Sequence, residues 1–237
     1  DTTRRRWLQH GLLPERTGWD PQKISSAVDA VILGMHAKAD NPELRRAGEL
    51  GIKTYSYPEF LFEQSKNKTR VVIGGSHGKT TITSMILHVL KQCHIDTDYM
   101  VGALIDGFDV MVRTSEKAPF MVLEGDEYLS SALDPRPKFH IYRPHIALIS
   151  GIAWDHMNVF PTFDIYLEQF RQFIHCMEPN GKLIYCHADN TVKELCESEA
   201  PPSMTRYPYE LPEYTVGDKG FVAIWKGKQY SLPFFGQ

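Results

Sequence analysis

Residues 70–93 constrain the fold of this chain more than any other stretch. Residues 70–73 (Arg-Val-Val-Ile) are a short apolar run, and residues 74–81 read Gly-Gly-Ser-His-Gly-Lys-Thr-Thr. After them Ile82, Met85, Ile86, Val89, Leu90 and Cys93 recur at the i, i+3, i+4, i+7, i+8 and i+11 spacing of one helical stripe. A buried strand, a glycine turn and an amphipathic helix in this order make one unit of a parallel sheet covered by helices. Glycines let backbone N–H groups turn inward around an anion, and the helix N-terminus adds partial positive charge. Lys79 stands where it can reach outer phosphates and Thr80 where it can ligate magnesium, so residues 75–81 (Gly75, Ser76, His77, Gly78, Lys79, Thr80 and Thr81) are the candidate phosphate-binding group. The position five before Gly78 is Ile73 rather than glycine, which makes the loop a shorter variety of the general pattern.

Three more continuous apolar runs, 120–123, 146–149 and 182–185, read as strands buried on both faces, and residues 163–177 as a covering helix that stops before Pro179-Asn180-Gly181. Ahead of the loop, residues 28–33 predict a strand closed by Gly34. A helix follows, with Asp40 or Asn41 as cap, Pro42 and Glu43 in its first turn and Gly51 as its stop. Residues 52–55 predict another strand and 58–64 a short helix. The polar stretch 65–69 marks a domain boundary, giving a region 1–67 that lacks the opening glycine-rich turn of a doubly wound domain, and a second region 68–237. The last forty residues carry several prolines and then alternating segments at 214–216, 221–225 and 229–232, as for a small antiparallel appendage. The fold class is α/β with a mainly parallel sheet.

Composition excludes several functions. The chain has 237 residues, 42% apolar and 23% charged, as in ordinary globular proteins. A net charge of −3 provides no field for gripping a nucleic acid. Its apolar runs are far shorter than the roughly 20 residues that span a bilayer, and no secretory leader core opens the chain, so a cytoplasmic protein without a membrane partner is expected. Cys93, Cys176, Cys186 and Cys196 are scattered, without a CxxC pair, and read as reduced structural thiols.

Two further segments carry chemistry. Glu124-Gly125-Asp126-Glu127 directly follows the strand 120–123, and Ser150-Gly151-Ile152-Ala153-Trp154-Asp155-His156 follows the strand 146–149. Ligands of open parallel sheets gather at the carboxyl ends of the strands, so both segments are expected on the same edge as the glycine loop. Glu124, first after its strand, is the expected magnesium ligand, with Asp126 and Glu127 less certain. A lone histidine is more often a surface or satisfied core residue, and His140, His145, His175 and His187 are read so. His156 stands beside Asp155 at a converging strand end and is read as a metal or phosphate ligand. The metal set expected is therefore Thr80, Glu124 and His156, and the catalytic set Lys79, Glu124 and His156.

These motifs together resemble those of the Mur ligases. Gly75 to Thr81 is similar to their Gly-Thr-x-Gly-Lys-Thr loop with Ser76 in place of threonine, Glu124 to Glu127 to their Glu-Ala-Asp-Glu, and Asp155-His156-Met157-Asn158 to their Asp-His-Met-Asp. Asp40-Asn41-Pro42-Glu43 resembles the end of their first domain. The wording of residues 34–37, 98–102, 123–131 and 150–160 is closest to the branch that recycles cell-wall peptide.

The resemblance implies a Rossmann-like UDP-sugar domain, partial here at 1–67, a central ATP-binding domain at 68–237, and a third domain, absent here, for the amine. It also implies ATP and Mg2+ as cofactors and the joining of L-Ala-γ-D-Glu-meso-diaminopimelate to UDP-N-acetylmuramate through an acyl phosphate. The alternatives it leaves are the sister ligase that adds L-alanine and a nucleotide-binding module without ligation chemistry. Some relatives use a carbamylated lysine some fifteen residues past the histidine. Residues 162–173 contain no lysine, and Arg171 is the cation nearest that place. Residues 234–237 (Phe-Phe-Gly-Gln) fall just before a family His-Asn motif that supports adenine. Neither the oligomeric state nor the choice of amine is legible in the residues.

Overall fold

The computed structural model describes residues 2–12, 18–218 and 220–232; residues 234–237 lie outside them. In chain order the elements are α1 (Thr2–Gln9), a 3-10 turn (Pro21–Lys23), β1 (Ala30–Leu33), α2 (Pro42–Glu49), β2 (Lys53–Ser56), α3 (Tyr57–Gln64), β3 (Thr69–Gly74), α4 (Lys79–Gln92), β4 (Thr97–Met100), β5 (Val112–Arg113) and β6 (Phe120–Glu124). They continue as β7 (Leu129–Ser131), β8 (Asp134–Pro137), α5 (Lys138–Ile141), β9 (Ile146–Ile149), α6 (Phe163–His175), β10 (Lys182–Cys186), α7 (Asn190–Glu199), β11 (Thr205–Tyr209), β12 (Glu213–Gly217), β13 (Gly220–Trp225) and β14 (Lys228–Leu232). Two compact units result, one of residues 1–60 with 129–135 and one of residues 61–128 with 136–237.

The first unit holds a β-α-β repeat in which β1 and β2 pair in parallel, Ala30 opposite Lys53. The cap of α2 is Asn41, whose side chain accepts from the N–H groups of Glu43 and Leu44, with Pro42 in the first turn. Gly51, at φ +65°, follows the helix in the left-handed conformation that suits glycine. The segment 129–135 is tied to this unit by the Ala132 N–H, which donates to the Met35 carbonyl.

The second unit is built on a seven-stranded sheet in the order β11-β10-β9-β3-β6-β4-β5, parallel throughout except for the β4–β5 pair. β3 is central, with Ile73 opposite Glu124 of β6 and Gly74 opposite Ile149 of β9. Successive residues of β3 pack against different layers. Ile73 joins Leu87 of α4, Tyr99, Val101 and Val122 in one buried cluster. On the other side Phe139 of α5 stacks on Phe173 of α6 with ring centroids 4.5 Å apart, and a Cβ on Gly74 would meet the Phe173 ring at 3.2 Å. Burial on both faces explains why β3 and β6 read as continuous apolar runs. β12, β13 and β14 form the three-stranded antiparallel sheet expected near the end of the chain.

Some elements escape an apolar scan. β4 is buried along its whole length although it contains Asp98, because that carboxylate is answered by the Lys68 ammonium and accepts from the Ser115 N–H at 2.8 Å. β11 is an edge strand that tolerates Pro208, and α7 starts at an Asp189 cap that accepts from the Val192 N–H. The polar stretch 65–69 is likewise not exposed throughout. Ser65 donates to the Leu61 carbonyl, Lys68 to Asp98 and the Ser115 carbonyl, and both are buried. Among the described residues no helix is long and apolar enough to cross a membrane. All four cysteines are free thiols, and burial pushes those of Cys176 and Cys196 up to about 12, which keeps them protonated and unreactive.

Arg70 anchors the end of the sheet remote from the glycine loop. Its guanidinium, 3% exposed, donates to the carbonyls of Ser65, Tyr142 and Arg143 and to Glu178 at 2.8–3.1 Å. Arg70→Ala should lower the free energy of unfolding by about 3 kcal/mol, since it leaves three carbonyls and a carboxylate without their donor. Lys66→Ala, at an exposed pair with Glu63, should stay within about 0.5 kcal/mol. Urea titrations followed by circular dichroism compare the two, and equal midpoints would remove Arg70 from this role.

Candidate active site at the carboxyl edge of the sheet

The paired ends of β3, β6 and β9 bring three loops to one edge. The loop after β3 runs Gly75-Ser76-His77-Gly78, and Lys79, Thr80 and Thr81 form the first turn of α4, whose leading N–H groups have no partner within the helix. Gly78 is the helix cap at φ +77°. Gly75, at φ +131°, passes so close to β9 that a Cβ there would lie 2.1 Å from Ser150 Oγ. A side chain at either position would be strained by conformation, and at Gly75 it is also excluded by space.

Ser76 faces inward rather than toward the open side of the loop. Its N–H donates to the Gly151 carbonyl, and its hydroxyl accepts from the Ala153 N–H at 2.8 Å and meets the Tyr166 hydroxyl at 2.8 Å. Ser150 makes the reciprocal tie by donating to the His77 carbonyl at 2.9 Å. Asp189 holds the same segment from the far side, accepting from the Ile152 N–H at 3.0 Å while it caps α7. The glycine loop and the segment 150–153 are thus one hydrogen-bonded body.

The residues singled out in the sequence fall into two groups on this edge. In the first, Thr80 donates to Glu124 Oε1 at 2.8 Å and the Gly102 N–H donates to Glu124 Oε2 at 2.8 Å. In the second, His156 lies 3.6 Å from Glu127 Oε1, and Glu127, Asp155 and His156 each offer a ligand atom within 4.8 Å of the others. Lys79 lies with the second group, 2.8 Å from Glu127 Oε2 and 2.6 Å from the Gly75 carbonyl. Thr80 and Glu124 are brought together; His156 joins Glu127 and Asp155 rather than Glu124.

Glu127, one of the two less certain acidic residues of the sequence motif, is the one that the fold buries. The chain turns at Gly125, whose N–H donates to the Ile73 carbonyl at 2.7 Å, and returns Glu127 to the interior with no exposed surface. There its Oε1 accepts the Tyr166 O–H at 3.0 Å. Tyr166 is itself buried, and burial, with the Glu127 charge beside it, raises its hydroxyl pKa, so it remains a proton donor to the carboxylate. Asp126 points elsewhere and is taken by Lys138. Burial alone would raise its carboxyl, but the Lys138 hydrogen bond and charge hold it below the usual carboxylate range.

Arg171 does not reach this edge. Its guanidinium is held by Glu168 and Glu199, so Tyr166 rather than Arg171 is the contribution of α6. The four histidines read as surface or satisfied core residues have partners away from this group: His140 donates to the Gln169 carbonyl, His145 accepts the Arg70 N–H, His175 lies against Glu199, and His187 against Glu210 and Glu197.

Backbone geometry supports the second group. His156 adopts φ +51°, uncommon for a residue with a side chain, and its N–H donates to Asp155 Oδ1 at 2.7 Å. The Trp154 indole N–H donates to the Phe160 carbonyl at 3.0 Å and closes the turn, while the Tyr128 ring meets the His156 imidazole edge-on. Two carboxylates and an imidazole suit a divalent cation, and a hydroxyl beside a carboxylate at a helix N-terminus suits magnesium on a polyphosphate.

The Mur ligase middle-domain family matches residues 73–214. Similar curated proteins include the UDP-N-acetylmuramate--L-alanyl-gamma-D-glutamyl-meso-2,6-diaminoheptandioate ligase of Haemophilus influenzae, 28% identical over 177 residues, which are 74% of this chain and 39% of that protein. The UDP-N-acetylmuramate--L-alanine ligase of Arthrobacter sp. is 31% identical over 180 residues, 76% of this chain and 37% of that protein. Among solved structures, the UDP-N-acetylmuramate:L-alanyl-gamma-D-glutamyl-meso-diaminopimelate ligase from Neisseria meningitides shares the fold with a TM-score of 0.75 at 23% identity, covering 90% of this chain and 69% of that one. The chain spans about two fifths of the length of the curated relatives it matches.

Gly125 is the tightest point of the turn that delivers Glu127. A Cβ there would lie 2.7 Å from Val72 Cγ1 and 2.9 Å from the Ile73 carbonyl oxygen. Gly125→Ala is therefore expected to destabilise the protein by about 2 kcal/mol, whereas Gly48→Ala, inside α2 with nothing within 4 Å, should stabilise it by about 0.5–1 kcal/mol. Thermal melts of the two variants read the difference, and a neutral Gly125→Ala would show that the turn has room for a methyl group.

Proposed function

Because this chain belongs to the Mur ligase family, we propose that it supplies the nucleotide-binding centre of an ATP-dependent ligase that joins the tripeptide L-Ala-γ-D-Glu-meso-diaminopimelate to UDP-N-acetylmuramate. Residues 68–237 are assigned to the central ATP-binding domain and residues 1–67 to part of the UDP-sugar domain. The observation that carries the proposal is the division of the edge into two ligand groups, Thr80 with Glu124 and Glu127 with Asp155 and His156, because ligation needs charge neutralised at two places. A plain ATPase needs one.

In the first step two anions meet: the sugar lactyl carboxylate attacks the γ-phosphorus of ATP, the bond to the β-phosphate oxygen breaks, and an acyl phosphate and ADP result. The task of the protein is positioning and charge neutralisation. The glycine loop and the first turn of α4, residues 75–81, are assigned to the phosphates, with Lys79 reaching the β and γ groups. Thr80 and Glu124 would hold one Mg2+, and Glu127, Asp155 and His156 a second cation nearer the reacting carboxylate. Such cations neutralise phosphate and carboxylate charge where the bond is made. The amine of the tripeptide then displaces phosphate from the acyl phosphate through a tetrahedral intermediate. The rigid union of residues 75–78 with 150–153 supports the reading, since it fixes the phosphate site relative to His156.

On the complete protein, Lys79→Ala should depress ATP turnover about 10²- to 10³-fold, as loss of one preorganised charge does. His156→Ala should depress acyl-phosphate formation far more than it weakens ATP binding, because Lys79, Thr80 and Glu124 remain. Isothermal titration with ATP, beside rapid-quench detection of the acyl phosphate with UDP-N-acetylmuramate, measures both. If affinity and rate fall in equal proportion in His156→Ala, the residue belongs to the nucleotide site and the two-group reading fails. Absence of any sugar-nucleotide binding would favour a nucleotide module without ligation chemistry.

A further inference from the structure

Lys79 has two demands on one ammonium group. In the structure it is folded back onto its own loop, 2.6 Å from the Gly75 carbonyl, 3.3 Å from the Ser76 carbonyl and 2.8 Å from Glu127 Oε2. Glu127 has no exposed surface, and a buried carboxylate is strongly disfavoured without a cation beside it. Lys79 is the ammonium that answers that charge. Yet the same carboxylate, with Asp155 and His156, makes up the three-residue ligand group, and an ammonium on Glu127 repels a divalent ion placed a few ångströms away.

We infer that Lys79 gates this cation position. While the ammonium rests on Glu127, the group formed with Asp155 and His156 binds a divalent ion weakly. A polyphosphate that draws Lys79 outward leaves Glu127 charged and unanswered, and a divalent ion takes the ammonium's place. The order of binding is built into one carboxylate: nucleotide first, second cation after. Linkage is reciprocal, so a cation at Glu127 also frees Lys79 and tightens the nucleotide. Tyr166 keeps Glu127 Oε1 in place through the exchange by donating to it in both states, since its own position is fixed by Ser76. The inference rests on the nucleotide reading of the loop given above, and the experiment separates the two.

The probe is Mn2+, counted as loss of the free aqua-ion signal in electron paramagnetic resonance on the full chain. Wild type, Lys79→Met, Glu127→Gln and the double variant are titrated without nucleotide. The wild type is titrated again with saturating Co(III)–ATP, a diamagnetic, exchange-inert complex that carries its own cation. Lys79→Met should bind Mn2+ about ten- to a hundredfold more tightly than the wild type, a coupling of the size usual for linked sites, and the double variant should lose the gain. Wild type with Co(III)–ATP should show the same gain, which keeps the inference testable should Lys79→Met fail to fold. Equal Mn2+ affinity in wild type and a folded Lys79→Met overturns the gate, as does unchanged affinity while Co(III)–ATP is bound. Failure of Co(III)–ATP to bind, read by equilibrium dialysis, overturns the nucleotide reading instead, and the Lys79→Met titration still decides the gate.

Discussion

A carboxylate taken wholly out of water must be met by a cation and by hydrogen-bond donors, and the edge of this sheet is arranged around one such group, Glu127. Lys79 provides the charge and Tyr166 the hydroxyl. Each is fixed in turn: Lys79 by its place in the first turn of α4, Tyr166 by the Ser76 hydroxyl and by the aromatic layer of Phe139, Phe170 and Phe173. Segments that follow three different strands are therefore committed to one buried charge. Such a network fixes geometry more than it adds stability, because desolvation of the ions offsets most of their attraction.

The second carboxylate of the edge has the opposite character. Glu124 is at the end of β6 and is held by light contacts, one hydroxyl and one backbone N–H. Both donors are neutral, so its charge remains available to an incoming ion, whereas that of Glu127 is already answered. Two carboxylates three residues apart thus differ in readiness because one stops at the sheet edge and the other is folded under it by the turn at Gly125.

Much of the architecture is legible from the residues. The strands β3, β6, β9 and β10 are announced by continuous apolar runs, α2 by its cap and first-turn proline, and α4 by its stripe. The glycine loop is legible because few residues other than glycine take its backbone conformations. β4 is hidden because its polar Asp98 is neutralised by Lys68, thirty residues away, and periodicity carries no record of such pairing. The centre of the site is hidden for a related reason. Glu124, Asp126 and Glu127 look alike in a short acidic run, and which of them is buried depends on a turn that only packing against Val72 and Phe139 defines. Tyr166 reads as one more apolar position on α6, because its hydroxyl partners lie on segments 39 and 90 residues distant.

The register of β3 has a further effect. Because Ile73 faces Glu124 and Gly74 faces Ile149, the three loops begin at fixed heights set by the backbone ladder rather than by their own side chains. One residue inserted within β3, β6 or β9 would turn every later side chain of that strand to the opposite face and lift its loop by about 3.3 Å. Added length in the connection at 103–110, which lies between strands, leaves the ladder untouched. Changes in chain length are thereby steered into the connections, and the hydrogen-bond ladder serves as the ruler against which the reacting groups are spaced.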